Sequence, residues 1–220
     1  MLTVRARLHP QLSTVPAMSD DSIRTADAAD LHDVVDVLTT AFHDDPLMSW
    51  AFPDDTIRPR RLHGLWTFMA GDGYLPRGAS TVVPGGDAAA LWAAPGDGLD
   101  KGFWSANGAR FVTLLEGDIE RLGSLSEQMD ANHPHDRDHW YLMAIGVSPA
   151  AQGRRLGSAL LAHTLAEADA AGAPAYLEAT SSRSRALYER FGFDVLAEMR
   201  APGGPPLWAM WREPGARRSG

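Results

Sequence analysis

The chain has 220 residues, of which 45% are hydrophobic, and a formal net charge of −8 at pH 7. This length suits one domain with one core. The absence of cysteine excludes a disulfide framework, a cysteine-ligated metal site and a thiol nucleophile. No apolar stretch approaches the roughly 20 residues that a membrane span needs. The acidic balance argues against nucleic acid as a partner and is compatible with a cationic amine substrate. We therefore expect a cytoplasmic protein that binds neither nucleic acid nor membrane.

The N-terminal segment differs from the rest of the chain. It contains arginines and prolines but no acidic residue before Asp20, a composition that a targeting peptide would share. We predict instead that residues 1–21 form a flexible extension, with Met18 as an alternative start. The folded domain is expected to span 22–214, followed by a flexible basic tail at 215–220.

The first half of the domain shows both helical and strand periodicity. Asp30 is a candidate N-cap for a helix whose apolar face includes Val34, Val35 and Leu38. In chain order we expect a strand at 22–25, this helix, a helix over 56–70, strands over 80–83 and 88–93 around the turn 84–87, and one or two helices over 109–128 with Gly117 and Gly123 as weak points.

The most informative segment is YLMAIGVSPAAQGRRLG, residues 141–157. It predicts a buried strand over 141–147, a break at Pro149 and a glycine-bearing start to a helix. Such a helix start presents unpaired backbone N–H groups and the positive end of the helix dipole, which together favour a phosphate group. Neither the P-loop spacing nor the Rossmann glycine spacing is present.

A second informative segment is PAYLEATSSRSRALYERFGF, residues 174–193. It predicts a buried strand over 175–179 and a short helix over 181–190, with Ser181 or Ser182 as its cap. Gly192 ends this helix. The last two strands are expected at 193–199 and 207–212, joined by the turn 202–206.

These two segments resemble motifs A and B of the GCN5-related N-acetyltransferase (GNAT) family. Gln152 and Gly157 match the first and last positions of motif A, Q/R-x-x-G-x-G/A, and Arg155 stands where the family usually has glycine. The string ALYERFGF is typical of motif B. The resemblance implies an α/β (α+β) GNAT fold, in which a mixed, mostly antiparallel sheet of six to seven strands has a splayed parallel pair, the fourth and fifth strands, and flanking helices. It also implies acetyl-CoA as co-substrate.

The resemblance assigns roles to particular residues. Tyr188 would point at the coenzyme sulfur and protonate the leaving thiolate, since a tyrosine stays protonated at neutral pH. The N–H of Val147 would stabilise the carbonyl oxygen as it gains charge. Ser184 stands where the family often has a cofactor-binding asparagine. The remaining cofactor-binding candidates, which surround the pantetheine arm and the pyrophosphate, are Ile145, Gly146, Val147, Gln152, Gly153, Arg154, Arg155, Leu156, Gly157 and Ser158.

The residues that would handle the acceptor amine are less constrained by pattern. Glu178, on the strand beside the expected cofactor cleft, is a candidate general base, and equally a structural carboxylate. Two readings apply to the acidic residues Asp44, Asp45, Asp54 and Asp55, which would either attract a cationic acceptor or cap helices. Trp50, Phe52 and Trp92 are candidates for the acceptor pocket, although aromatic residues are usually core.

The segment from His133 to His139 contains the residue types of a metal site. It lies in a polar loop without evident supporting residues, so we predict no metal. The expected activity is acetyl transfer from acetyl-CoA to a small-molecule primary amine, such as an antibiotic or metabolite, by a monomer or homodimer. Two alternatives remain open: acetylation of a protein lysine or N-terminus, and a non-catalytic acyl-CoA sensor.

Overall fold

The computed structural model describes residues 23–116 and 119–216. The predicted N-terminal extension, Gly117 and residues 217–220 of the predicted tail lie outside the described residues. The start of that tail is held in place. The N–H of Gly215 donates to Oδ1 of Asp169 over 2.6 Å, and Arg212 donates to the carbonyl oxygen of Ala216 over 3.0 Å.

One sheet of seven strands, in the order β1-β2-β3-β4-β5-β7-β6, forms the centre of the described structure. Every neighbouring pair is antiparallel except β4 and β5, which are parallel. The strands are β1 (Arg24–Thr25), β2 (Thr81–Val83), β3 (Ala88–Ala93), β4 (Trp140–Val147), β5 (Ala175–Ala179), β6 (Asp194–Met199) and β7 (Leu207–Arg212). The fold predicted from the family resemblance, including its parallel pair, is confirmed.

Helices cover both faces of the sheet. One apolar cluster packs the first five helices against one face, and a second packs the last two against the other. The helices are α1 (Leu31–Ala41), α2 (Pro46–Ala51), α3 (Arg58–Trp66), α4 (Lys101–Leu114), α5 (Glu120–Asn132), α6 (Leu156–Ala170) and α7 (Ser182–Arg190). We call these two sides of the sheet the α1 face and the α6 face.

The predicted strands from 80 onward are present to within one residue at each end. The cap predicted for α1 is wrong, because the Asp30 carboxylate does not bond to the start of that helix. It accepts instead from the backbone N–H of Asp27 and from both terminal nitrogens of Arg24. A local cap motif was therefore present, but one turn earlier than predicted, in the short 3-10 turn that precedes α1.

The helices between β1 and β2 and between β3 and β4 differ most from prediction. The single helix expected over 56–70 is α3, which continues as π-helical turns over Thr67–Tyr74. The helix expected over 109–128 is a pair, α4 and α5. The first helix begins at Lys101, where Asp100 accepts from the N–H of Phe103. Gly123 lies inside α5 and does not interrupt it.

Candidate active site

A gap opens in the centre of the sheet between its two parallel strands. The ladder between β4 and β5 ends at the pair Leu142–Leu177. Beyond that pair β4 continues against β3 alone, up to Val147, and β5 continues against β7 alone, from Glu178 onward. The main chain of Ile145, Gly146 and Val147 therefore lines one side of the gap.

The helix that follows β4 begins without a side-chain cap. A 3-10 turn at Pro149–Ala151 leads into the exposed residues 152–155, and α6 begins at Leu156. Its first-turn N–H groups have no helical acceptor and lie at the positive end of the dipole. By contrast, α2 and α7 are capped by the side chains of Asp45 and Ser181. This uncapped, exposed start fits a diphosphate group.

Two residues of this loop have left-handed backbone. Gly153 has φ +83°, and Arg155, which stands where the family has glycine, has φ +62°. Arg155 thus keeps the loop conformation that glycine would allow, at a cost of about 1–2 kcal/mol for a residue with a Cβ atom. Arg154 pairs with Asp87 in the β2–β3 turn over 2.6 Å. This partner is 67 residues away in sequence, and no local pattern indicated it.

Two other glycines of the predicted cofactor site, Gly146 and Gly157, differ in how closely their neighbours pack. A Cβ atom on Gly146 would lie 2.9 Å from Cδ2 of Leu38 and 3.0 Å from Cβ of Ala41, so glycine lets α1 approach β4 closely. A Cβ atom on Gly157 would meet only a Val147 methyl group, at an ordinary 3.5 Å. Gly157 is therefore not required by packing, which leaves its open surface available to a ligand.

Ser184, the predicted cofactor contact, bonds to Ser181 at the start of α7. Its hydroxyl donates to the carbonyl oxygen of Ser181 over 2.9 Å and accepts from the Ser181 N–H over 3.2 Å. In return, Oγ of Ser181 accepts from the Ser184 N–H. Ser184 thus completes the capping box at the start of α7, and its hydroxyl would have to leave that box to bind a ligand.

Tyr188 lies on α7, buried on the α6 face and packed edge-on against Phe193 with ring centroids 6.0 Å apart. No hydrogen bond contributes to the pKa of its hydroxyl. Burial, with a smaller contribution from the charge of Asp45, raises the pKa of Tyr188 well above its ordinary value. The side chain is thus a protonated hydroxyl across the working pH range and is free to donate.

Glu178 lies at the first position of β5 beyond the paired region, and its side chain is only 4% exposed. Its Oε2 accepts from the hydroxyl of Tyr141 over 2.9 Å, whereas Oε1 has no hydrogen-bond partner among the described residues. Burial and the charge of Glu178 raise the pKa of the surrounding Tyr74, Tyr141 and Tyr176 hydroxyls. Glu178 is therefore a buried carboxyl among tyrosines that stay protonated.

Of the four acidic residues between α1 and α3, Asp45 caps a helix, α2, whereas Asp54 bonds within the turn before α3. Asp45 accepts from the N–H groups of Leu47 and Met48 through Oδ1 and from the hydroxyl of Thr180 through Oδ2, over 2.6 Å. Asp54 accepts from the N–H and hydroxyl of Thr56. The bond to Thr180 also brings the α1–α2 loop to the end of β5, beside the gap.

The three aromatic residues predicted to line the acceptor pocket lie in different places. Trp92 is fully buried on the α6 face, edge-on to Trp140, so placing it in the pocket was wrong. Trp50 is half-buried and faces the β6–β7 turn, where a Cβ atom on Gly204 would lie 3.3 Å from its ring. Phe52 is buried but contributes to the wall of an open cleft, which is lined by Ala51, Phe52, Pro53, Asp54, Ile57 and Arg121.

The described residues contain no cluster of histidine and acidic side chains arranged to hold a metal ion. They also contain no helix with the length and apolar character of a membrane span. Instead, His133 and His139 pack against each other and against Tyr176, beneath the sheet on the α1 face.

Sequence and structure comparisons agree with this geometry. A profile of the acetyltransferase (GNAT) family matches residues 89–193. An uncharacterized N-acetyltransferase of Schizosaccharomyces pombe is 28% identical over 211 residues, spanning 87% of this chain and 83% of the relative. A Corynebacterium glutamicum structure, described as histone acetyltransferase HPA2 and related acetyltransferase, is 30% identical with a TM-score of 0.68, covering 90% of this chain and 98% of that one. Arylalkylamine N-acetyltransferase 2 of Aedes aegypti shares the fold at 15% identity, with a TM-score of 0.62 over 87% of this chain and 97% of its own.

The profile match runs from β3 to the residue before β6, and so contains the gap, the uncapped start of α6 and Tyr188. The C. glutamicum relative extends the likeness to nearly the whole of both chains. Members of this family use acetyl-CoA as acetyl donor. This chain belongs to the GNAT family and is an acetyltransferase.

Proposed function

We propose that the protein transfers the acetyl group of acetyl-CoA to a primary amine of a small molecule, by direct attack within a ternary complex. The observation that carries the proposal is the gap that opens beyond Leu142 and Leu177, together with the uncapped helix start that follows β4. Direct attack is supported by composition, because a chain without cysteine has no thiol to carry the acetyl group.

The chain's own residues divide the work as follows. The N–H groups at the start of α6, with Gln152, Gly153, Arg154, Arg155, Leu156, Gly157 and Ser158 around them, hold the diphosphate. The backbone of β4 aligns the pantetheine arm, and the N–H of Val147 donates to the carbonyl oxygen as it gains charge. Tyr188 donates its proton to the departing sulfur, and Glu178 takes a proton from the acceptor ammonium.

A small, cationic acceptor is favoured by the surroundings of the gap. The Asp45–Thr180 bond draws the α1–α2 loop over the end of β5, and Trp50 closes against the β6–β7 turn. Asp44 is almost fully exposed beside this loop and adds negative charge to a chain of net charge −8. From Trp140 onward the sequence also resembles puromycin N-acetyltransferase, above all in its ending, GGPPLWAMWREPGA.

A protein acceptor is the second candidate, because the C. glutamicum relative is described as a histone acetyltransferase. An assay of thiol release from acetyl-CoA decides between a small-molecule and a protein acceptor. The panel contains aminonucleosides, aminoglycosides, hydrazides, polyamines and lysine or N-terminal peptides. We expect turnover with at least one small amine and none above background with the peptides. Turnover confined to peptides would replace the proposal with the second candidate. Calorimetric binding of acetyl-CoA without turnover on any amine would indicate an acyl-CoA sensor.

A further inference from the structure

The histidine segment before β4 leads to the side chain that we propose as general base. Nδ1 of His133 lies 3.9 Å from Oε1 of Glu178, the oxygen that has no hydrogen-bond partner among the described residues. On the other side of its ring, Nε2 of His133 lies 3.1 Å from Nε2 of His139. Nδ1 of His139 lies 2.8 Å from the carbonyl oxygen of Arg137.

These distances fix where the protons are. A carbonyl oxygen only accepts, so Nδ1 of His139 carries the hydrogen and its Nε2 is bare when the ring is neutral. Burial lowers the pKa of His139, which keeps that ring neutral. The hydrogen between the two rings therefore belongs to Nε2 of His133, and in a neutral His133 ring Nδ1 is the acceptor that faces Glu178.

We propose that His133 is a positioning residue for the acetyl transfer, which receives through Nδ1 the proton that Glu178 removes from the acceptor ammonium, and that His139 holds it in the tautomer this requires. The proposal rests on the function proposed above.

Bonds and protons balance in this reaction. The acceptor nitrogen forms its bond to the acetyl carbon, the carbon–sulfur bond breaks, and the ammonium loses two protons. One of them replaces the proton that Tyr188 gives to the sulfur, and the other passes from Glu178 to His133 and then to water.

The position of His133 suits this role. Glu178 is nearly sealed from water, with 4% of its side chain exposed, whereas a quarter of the His133 side chain is exposed. The other titratable groups that face Glu178 are Tyr74 from the π-helical turns, Tyr141 from β4 and Tyr176 from β5, and each has its pKa raised by burial. In the neutral range they stay protonated, so His133 is the route by which a proton leaves this carboxyl.

His133→Gln tests the proposal, since the glutamine amide can still donate to His139 but cannot take up a proton. We expect kcat to fall about ten- to a hundredfold with the KM for acetyl-CoA unchanged. The pH–rate profile should also change, because the group that passes the proton on to water is gone. His135→Gln is the matched control: His135 lies in the same loop, is two-thirds exposed and is hydrogen-bonded to the backbone of Asp130, and its variant keeps the wild-type rate and profile.

A double-variant cycle separates a proton pathway from simple packing. If His133 acts through Glu178, then Glu178→Gln combined with His133→Gln is as slow as Glu178→Gln alone, to within about twofold. Multiplied losses in the double variant, or a His133→Gln variant with wild-type kcat and pH profile, would overturn the proposal.

Nitrogen-15 NMR of the imidazole rings provides a readout that needs no turnover. We expect His133 as the Nε2–H tautomer and His139 as the Nδ1–H tautomer, and the opposite tautomer on His133 would also overturn the proposal. The two proposals fail in different ways. If the wild-type protein acetylates no amine in the panel, the proposed function fails. If the wild-type protein acetylates an amine but the His133 variants or tautomers differ from these expectations, only the present inference fails.

Discussion

The hydroxyl of Thr180 donates to Oδ2 of Asp45 over 2.6 Å, joining the α1–α2 loop to the loop that follows β5. The two residues are 135 positions apart in sequence. The other oxygen of Asp45 caps α2, so one partly buried carboxylate both starts a helix and ties it to the edge of the active-site gap.

We expect Thr180→Val to lower the free energy of unfolding by about 2 kcal/mol, because it leaves a partly buried carboxylate oxygen without its donor. Urea unfolding measures this change. Thr56→Val is the matched control, since Thr56 donates to Asp54 in an exposed pair, and there we expect less than about 0.5 kcal/mol. Equal losses in the two variants would show that burial of the Asp45–Thr180 pair has no energetic consequence.

The titration of Asp45 makes a second prediction, on stability against pH. Burial raises the pKa of Asp45 above its ordinary value of 3.8, despite the opposing hydrogen bonds. The folded state then binds more protons than the unfolded state from about pH 4 up to the raised pKa, so stability falls as pH rises through that window. We expect the Asp45→Asn variant to lack this decline when urea unfolding midpoints are measured at several pH values across the window. A variant curve parallel to the wild-type curve would contradict the prediction.

The third prediction concerns Tyr188. No hydrogen bond contributes to the pKa of its hydroxyl, so Tyr188→Phe should change the free energy of unfolding by less than a hydrogen bond is worth, under about 0.5 kcal/mol. Loss of the proton donor should lower kcat about a hundredfold or more. Thiol-release kinetics measure kcat, and calorimetry checks that acetyl-CoA binds with wild-type affinity. A variant with wild-type turnover would remove Tyr188 from the mechanism.

The strand and helix starts around the gap were readable from sequence because their signals are local. A strand, a proline break and a glycine-bearing helix start follow one another within residues 141–157, and Ser181 lies directly before the helix that it caps. Each of these features depends on backbone preferences over a few residues. Local turn signals also allowed the two strand pairs at 80–93 and 193–212 to be predicted from sequence.

The parts that prediction missed depend on partners distant in sequence. The burial of Trp92 is set by α6 and Trp140 packing over β3, and a strand sequence does not say which of its faces meets which helix. The contacts of His133 with Glu178 and of Asp87 with Arg154 also join distant segments.

A matched pair of glycine substitutions separates packing from binding. Gly146→Ala places a Cβ atom 2.9 Å from a Leu38 methyl group and 3.0 Å from Cβ of Ala41, so we expect a loss of about 1–3 kcal/mol in unfolding free energy. Gly157→Ala meets only ordinary contact, at 3.5 Å from Val147, and should keep or slightly raise stability. It should nevertheless weaken acetyl-CoA binding about tenfold or more, because the methyl group lies at the helix start where the diphosphate is expected.

Urea unfolding and calorimetry on both variants test this division. A stable Gly146→Ala protein would mean that α1 can withdraw from β4 without cost. Wild-type acetyl-CoA affinity in Gly157→Ala would place the diphosphate elsewhere.

The last prediction uses the left-handed backbone of Arg155, which has φ +62°. Arg155→Gly and Arg155→Ala remove the same guanidinium group, but only alanine keeps a Cβ atom in the unfavourable conformation. We therefore expect the glycine variant to be more stable than the alanine variant by about 1 kcal/mol in urea unfolding. Both should lose acetyl-CoA affinity to the same extent, about tenfold, and the loss should shrink as salt screens the phosphate charge. If the alanine variant binds acetyl-CoA as tightly as the wild type, Arg155 makes no phosphate contact, and its strained conformation would need a cause outside ligand binding.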